Sequence, residues 1–145
     1  MTSNGKESVT TAGASPTARL GFEDGQVVQE FGWDDDVDNG LREEIESAVG
    51  SQLEEDNYDG VVDSVVLWWR EGDGDLFDEC VDALTGLAEG GSIVVLSPVA
   101  GHPEHVDPSD IEEAAQSAGL RASTTMRAGS DWMATKLVQG GVRQR

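Results

Sequence analysis

Three observations predict an α/β chain: a mostly parallel, doubly wound sheet of about five strands, closed by a C-terminal antiparallel hairpin. Short β-branched or aromatic runs alternate with segments whose apolar residues recur at helical spacing, glycines and aspartates punctuate the joints, and the last two runs are separated by a turn alone. The chain has 145 residues, enough for one core and too few for two domains.

Residues 1–19 are rich in Ser, Thr, Gly and Ala and show no apolar periodicity. Burial cannot offset their ordering entropy, so they are expected to form a disordered tail. A first strand is expected over 26–31, between Gly25 and Gly32. Val37, Leu41, Ile45, Ala48 and Val49 then fall on one helical stripe over 37–49, which Gly50 ends, and Asp34, Asp35, Asp36 and Asp38 suit its N-terminus. Residues 61–69 are almost continuously apolar, as in a strand buried on both faces. Consecutive Trp68 and Trp69 must point to opposite faces of it.

Asp73 or Asp75 can cap a helix whose Leu76, Phe77, Cys80, Leu84 and Leu87 share one face, with Gly90 and Gly91 ending it. Residues 92–97 read as the next buried strand. Asp107 followed by Pro108 is an N-cap with proline at the first helical position, and Ile111, Ala114, Ala115 and Ala118 line the inner face up to Gly119. Strands over 120–127 and 132–138 flank the permissive turn at 128–131. The expected organisation is a tail over 1–19, one α/β domain over 20–140 and a short basic tail over 141–145.

The net charge is −20 and its distribution is polarised. Residues 20–118 hold 27 acids against only Arg42 and Arg70, whereas 119–145 are basic overall. Direct binding to a nucleic-acid backbone is disfavoured, and the field should attract basic partners. A salt-adapted or genome-wide composition that keeps the surface solvated gives the same pattern. The longest apolar run, Val65–Trp69, is far short of the ~20 residues a membrane-spanning helix needs. No apolar block at the start resembles a secretory h-region, so a cytoplasmic location is expected. The lone Cys80 excludes an intrachain disulfide and, on the apolar face of its helix, reads as a small buried hydrophobe.

Order and hairpin together resemble the C-terminal half of the class I methyltransferase fold. The segment Val27–Leu41 stands where that family has its first strand and glycine-rich loop, and Leu87–Pro98 resembles its leucine, paired-glycine and strand segment. Two departures matter. After Gly32 the loop carries Trp33, Asp34, Asp35 and Asp36 in place of further glycines. The interval before Val61 is too short for the two strand–helix units that complete the family's adenosine pocket. An intact S-adenosylmethionine site, and hence a cofactor, is therefore not expected. The stretch Leu20–Val138 also resembles the actinobacterial family called domain of unknown function 3052. The resemblance is carried by QVVQEFGWDDDVD, the block Asp63–Leu76, the helix start His105–Ile111 and the Ser130–Trp132 triplet. It implies a bacterial cytosolic protein and supplies no catalytic residues.

Ligands of open parallel sheets bind beyond the carboxyl ends of the strands. That edge should collect Trp33, Asp34, Trp69, Arg70, Pro98, His102 and His105, the candidate ligand cleft. Arg70 is either a local ion pair with Glu71, Asp73 or Asp75 or an anchor for an anion. His102 and His105, near Glu104, Asp107 and Asp110, could serve a transition metal, or stand in a loop whose Asp107 caps the next helix. The run from Asp34 to Glu46 invites a calcium-loop reading, but neither register of the twelve-residue pattern is complete: one puts Asn39 at the glycine position and Ile45 at the bidentate one, the other puts Val37 at a ligand position. A capped, solvated helix start is favoured, and no metal site is assigned. No serine or cysteine nucleophile with a matched base is visible, so no catalytic residue is assigned.

The expected function is a non-catalytic binding or regulatory module that engages a basic protein. The candidate surface is Asp34, Asp35, Asp36, Asp38, Glu43, Glu44, Glu46, Glu54, Glu55 and Asp56. The alternative is a small-molecule or nucleotide-binding protein using the Trp33, Arg70 and His102 edge, with lost or residual methyltransferase activity. A metal-dependent hydrolase built on His102, His105 and Asp107 ranks last.

Overall fold

A computed structural model of the chain describes residues 15–140. The expected basic tail over 141–145 and the first 14 residues of the expected N-terminal tail lie outside them. Described residues of that tail are helical: α1, Pro16–Arg19, is a single turn whose N-cap Ser15 accepts from the Ala18 amide. Thr17, Leu20 and Phe22 are buried, so the packed chain begins before Leu20.

Strand β1 (Val28–Phe31) leads to α2 (Asn39–Val49), where the Asp38 carboxylate accepts from the Leu41 amide at 3.0 Å and Gly50 closes the helix in the left-handed region. Next come β2 (Val62–Trp68), α3 (Leu76–Leu84, capped by Asp75), β3 (Leu87–Pro98) and α4 (Pro108–Ser117, capped by Asp107). The chain ends in the hairpin β4 (Leu120–Ala128) and β5 (Trp132–Gln139). The sheet order is β1-β2-β3-β5-β4. β1, β2 and β3 pair in parallel, with Val28 opposite Ser64 and Val66 opposite Val94, while β5 runs antiparallel to both β3 and β4. The predicted fold class holds.

Two expectations shift. The helix expected to reach Leu87 ends at Leu84, and β3 starts at Leu87 rather than at Ser92. The paired glycines do not terminate a helix. They lie inside β3, where its register with β2 slips between Val62 and Ser64, and a side chain at Gly91 would stand 2.7 Å from the Asp63 carbonyl oxygen. This is a bulge that only glycine fits.

Alternation along the strands divides the core between the two sheet faces. Trp68, Val66 and Val94 pack with Leu41, Ile45 and Val49 of α2. Trp69, Leu67 and Val95 pack with Leu76 and Cys80 of α3 and Ile111 and Ala115 of α4. The outer edge of β1 is covered by residues after α2. Glu30 donates its amide to the Glu54 carbonyl and the Glu54 amide returns to Val28, each at 2.8 Å. Buried Gln29 donates to the Glu55 and Tyr58 carbonyls at 3.0 Å. The segment after α2 thus meets the hydrogen-bonding demand of this sheet edge. Among the described residues no helix is long and apolar enough to cross a membrane.

Candidate functional site

The carboxyl ends of β1 and β2 meet at Gly32 and Trp68. Gly32 has φ +78, and a side chain there would run into the Trp68 carbonyl oxygen. Its own carbonyl accepts from the Arg70 guanidinium at 2.8 Å. Arg70 is only 7% exposed. It reaches Asp36 by a fork, Nε standing 3.0 Å from Oδ2 with Nη2 on Oδ1, and Asp73 by a longer contact of 3.4 Å. Hydrogen bonds from Arg70 hold the Asp36 carboxyl below the usual carboxylate range against the partial burial that would raise it, and His102 adds a smaller favourable charge. For Arg70, desolvation works against the charged form and is outweighed by Asp36 and Asp73.

A second fork lies two residues back, at Glu30 on β1 and Trp68 on β2. Arg42 on α2 clamps buried Glu30 through Nε at 2.7 Å and Nη2 at 2.9 Å, and the Trp68 indole donates to the same carboxylate at 2.8 Å. Trp68 meets Trp132 edge to face at 4.8 Å, and the Arg70 guanidinium lies 5.6 Å from the Trp132 ring centre. Both arginines of the acidic body are thereby committed to internal carboxylates.

The seven candidate cleft residues do not form one cleft. Trp33, 54% exposed, borders a cavity of about 560 Å³ with Glu30, Gly32, Arg42, Glu55 and Asp56. Trp69 is buried and floors a different cleft between α3 and α4. Asp34 accepts from the Asp35 amide. His105 Nδ1 is 2.9 Å from the Pro98 carbonyl, which fixes its ring on the end of β3. His102 Nδ1 accepts from the Glu104 amide at 3.0 Å. The local pair expected of Arg70 is found with Asp73, while Glu71 and Asp75 take no part in the pairs among the described residues and the shorter, forked pair is with remote Asp36. Each nitrogen of this buried guanidinium already donates within the protein, which leaves it little capacity to anchor an anion.

The candidate acidic surface divides by task. Asp36 serves Arg70, Asp38 caps α2, Glu46 accepts from the Leu53 amide at 3.0 Å, and the Glu54 backbone covers β1. Asp35, Glu43, Glu44, Glu55 and Asp56 enter no ion pair among the described residues. The carboxylates of the suspected calcium loop are thus drawn to separate duties, and among the described residues no three His, Cys, Asp or Glu side chains group to hold a metal. Cys80 is fully buried, and desolvation pushes its thiol up to about 11.

Sequence reasoning missed Glu30, Arg42 and Trp132. The one available signal was an acid, Glu30, beside Phe31 and two residues after the Val27–Val28 pair in a short strand, which requires a partner if the strand is buried.

A family model described as a protein of unknown function (DUF3052) matches residues 17–141. An uncharacterized protein of Mycobacterium tuberculosis (strain ATCC 25618 / H37Rv) is 46% identical over 139 residues, covering 95% of this chain and 87% of its own. Among solved structures, the pyocyanin biosynthetic protein PhzM matches with a TM-score of 0.56 at 12% identity, over 83% of this chain and 52% of that one. A ribosomal protein L11 methylase from Lactobacillus delbrueckii subsp. bulgaricus matches with a TM-score of 0.53 at 16% identity, over 85% and 74%. The chain spans about half of the first of these structures, and at such identities the likeness is one of fold alone.

Proposed function

The chain belongs to the DUF3052 family, and from its residues we propose a non-catalytic binding module that engages a basic protein through the face around Trp33. One observation carries this reading: an exposed aromatic ring borders a cavity with Glu55 and Asp56, while Arg42 in the same wall is clamped to Glu30 and Arg70 is held by Asp36. A lysine or arginine side chain suits that setting. Its cation gains about 0.5–1 kcal/mol over an exposed ring face, and carboxylates beside it supply charge-assisted hydrogen bonds. The site lies in the cytoplasm in this reading.

Neither S-adenosylmethionine nor catalysis is part of the proposal. The backbone at Gly32 is packed on the Trp68 carbonyl and its own carbonyl is spent on Arg70. That packing is unlike the open, glycine-lined approach a nucleotide cofactor needs at the first strand, which supports leaving the cofactor out of the proposal. A second reading is favoured by the size of the Trp33 cavity, about 560 Å³, which falls within the roughly 300–1,000 Å³ of small-ligand sites.

The test is affinity purification from native cytosol at low and high salt, with native mass spectrometry of the protein alone. A stoichiometric basic protein, lost at high salt and lost in Trp33→Ala, is the expected result. A small molecule retained on a solitary chain would transfer the cavity to the second reading.

A further inference from the structure

A second cleft, between α3 and α4, lies on the sheet face opposite the one that packs on α2. Trp69, Leu76 and Val106 are buried beneath it, and its volume is about 540 Å³. Phe77 was expected on the inner face of its helix, yet it is 37% exposed, and Val81, one turn on, is 44% exposed. Residues four apart lie on one side of a helix, so α3 presents an apolar pair to solvent beside the cleft.

Acids rim the same cleft: Glu71 and Asp75 before α3, Asp110 and Glu113 on α4. None enters an ion pair among the described residues. Asp75 and Asp110 have a local role near helix N-termini; Glu71 and Glu113 have none. The negative field along α3 is unrelieved, and Glu79 on that helix is pushed up by burial and by Asp82, Asp56, Asp73 and Asp78.

We propose that the α3–α4 cleft is a docking groove for a basic amphipathic segment of a partner protein, with an apolar anchor set against Phe77 and Trp69 and cationic heads on Glu71 and Glu113. This rests on the reading that the partner is basic, and adds a groove on the opposite sheet face from α2. Charge complementarity selects the occupant: an acidic or neutral segment would leave the rim unpaired, and a highly charged, non-amphipathic one would leave Phe77 and Val81 wet.

Two synthetic peptides of equal lysine content test it, one with leucines at helical spacing and one with serines in their place. Each is titrated at low salt into the isotope-labelled full chain and followed by NMR. The leucine peptide should shift the amides of Phe77, Val81, Asp110 and Ala114 and bind about tenfold more tightly than the serine peptide. Phe77→Ser and Glu113→Lys should each weaken it about fivefold without altering the rest of the spectrum. Equal affinity of the two peptides, or shifts centred on Trp33, would overturn the groove and leave the basic-partner reading standing. Absence of binding by either peptide would overturn both. Shifts at Phe77 that depend on protein concentration alone would give the groove to a second copy of the chain and overturn the partner assignment.

Discussion

Arg70 and Asp36 stand 34 residues apart in sequence and close on each other across the carboxyl edge of the sheet, Nε 3.0 Å from Oδ2. The pair ties the loop after β1 to the end of β2, and Arg70 also satisfies the Gly32 carbonyl. Arg70→Ala would leave that carbonyl and a half-buried carboxylate without their donor. Breaking a fully buried pair costs about 3–5 kcal/mol, and Asp36 remains 45% exposed, so solvent screening lowers the expected loss to about 2 kcal/mol. Urea unfolding would measure it; a loss below about 0.5 kcal/mol, the usual scale of a surface change, would remove the pair from the account of stability.

The same pair sets a pH dependence. The folded pKa of Asp36 lies below its ordinary value of 3.8, so its contribution is fully present above that value and is lost as pH falls through the folded one. Thermal midpoints recorded from about pH 5 to 2 should fall more steeply for the natural chain than for Asp36→Asn. Parallel curves would show that the carboxylate titrates alike in both states.

Gly32 should tolerate no side chain. Its φ of +78 is unfavourable for any L-residue, and a Cβ would collide with backbone at Trp68, which cannot swing aside as a flexible side chain could. Gly32→Ala is expected to cost about 3 kcal/mol or more. Calorimetry measures this directly, and a near-neutral result would mean that the two strand ends are not packed this closely.

Local chemistry made most of the scaffold legible. Asp38, Asp75 and Asp107 each cap the helix that follows, and Trp68 and Trp69 divide between the sheet faces as period-two geometry requires. The site was less legible because its contacts are long-range. An arginine beside three nearby acids gives no sign in sequence that its main pair reaches back to Asp36. Phe77 illustrates a different limit. Its spacing fits the inner stripe of α3, but the bulk of Trp69 and Leu76 below and the position of α4 leave it at the rim, and inter-helix placement is not encoded in one helix's periodicity. Leu87 misled for a related reason, since paired glycines signal a bulge in a strand as readily as a helix end.

Cys80 should be inert in the native protein. Burial, with a smaller contribution from Glu79, raises its thiol to about 11, so almost no thiolate exists at neutral pH. A thiol reagent at pH 7 should label it only after denaturant is added, at the rate of global unfolding. Rapid labelling of the folded chain would mean that α3 opens locally.

Glu79 tests whether the field around α3 is strong enough to act on the fold. Its place in the first turn of the helix favours a negative charge by about 0.3–1 kcal/mol at most. Burial and four neighbouring carboxylates oppose it and prevail, since the folded pKa lies above the ordinary 4.5. A raised folded value means that the native state binds the proton more tightly than the unfolded chain does, so stability falls as pH rises through that region. Glu79→Gln should therefore raise the thermal midpoint at pH 7, and the gain should shrink as the natural residue becomes protonated near and below 4.5. A gain that persists unchanged at low pH would trace to packing or helix propensity instead of charge. A loss at pH 7 would show that the helix dipole outweighs the surrounding acids, and the field along α3 would then be too weak to select a basic partner.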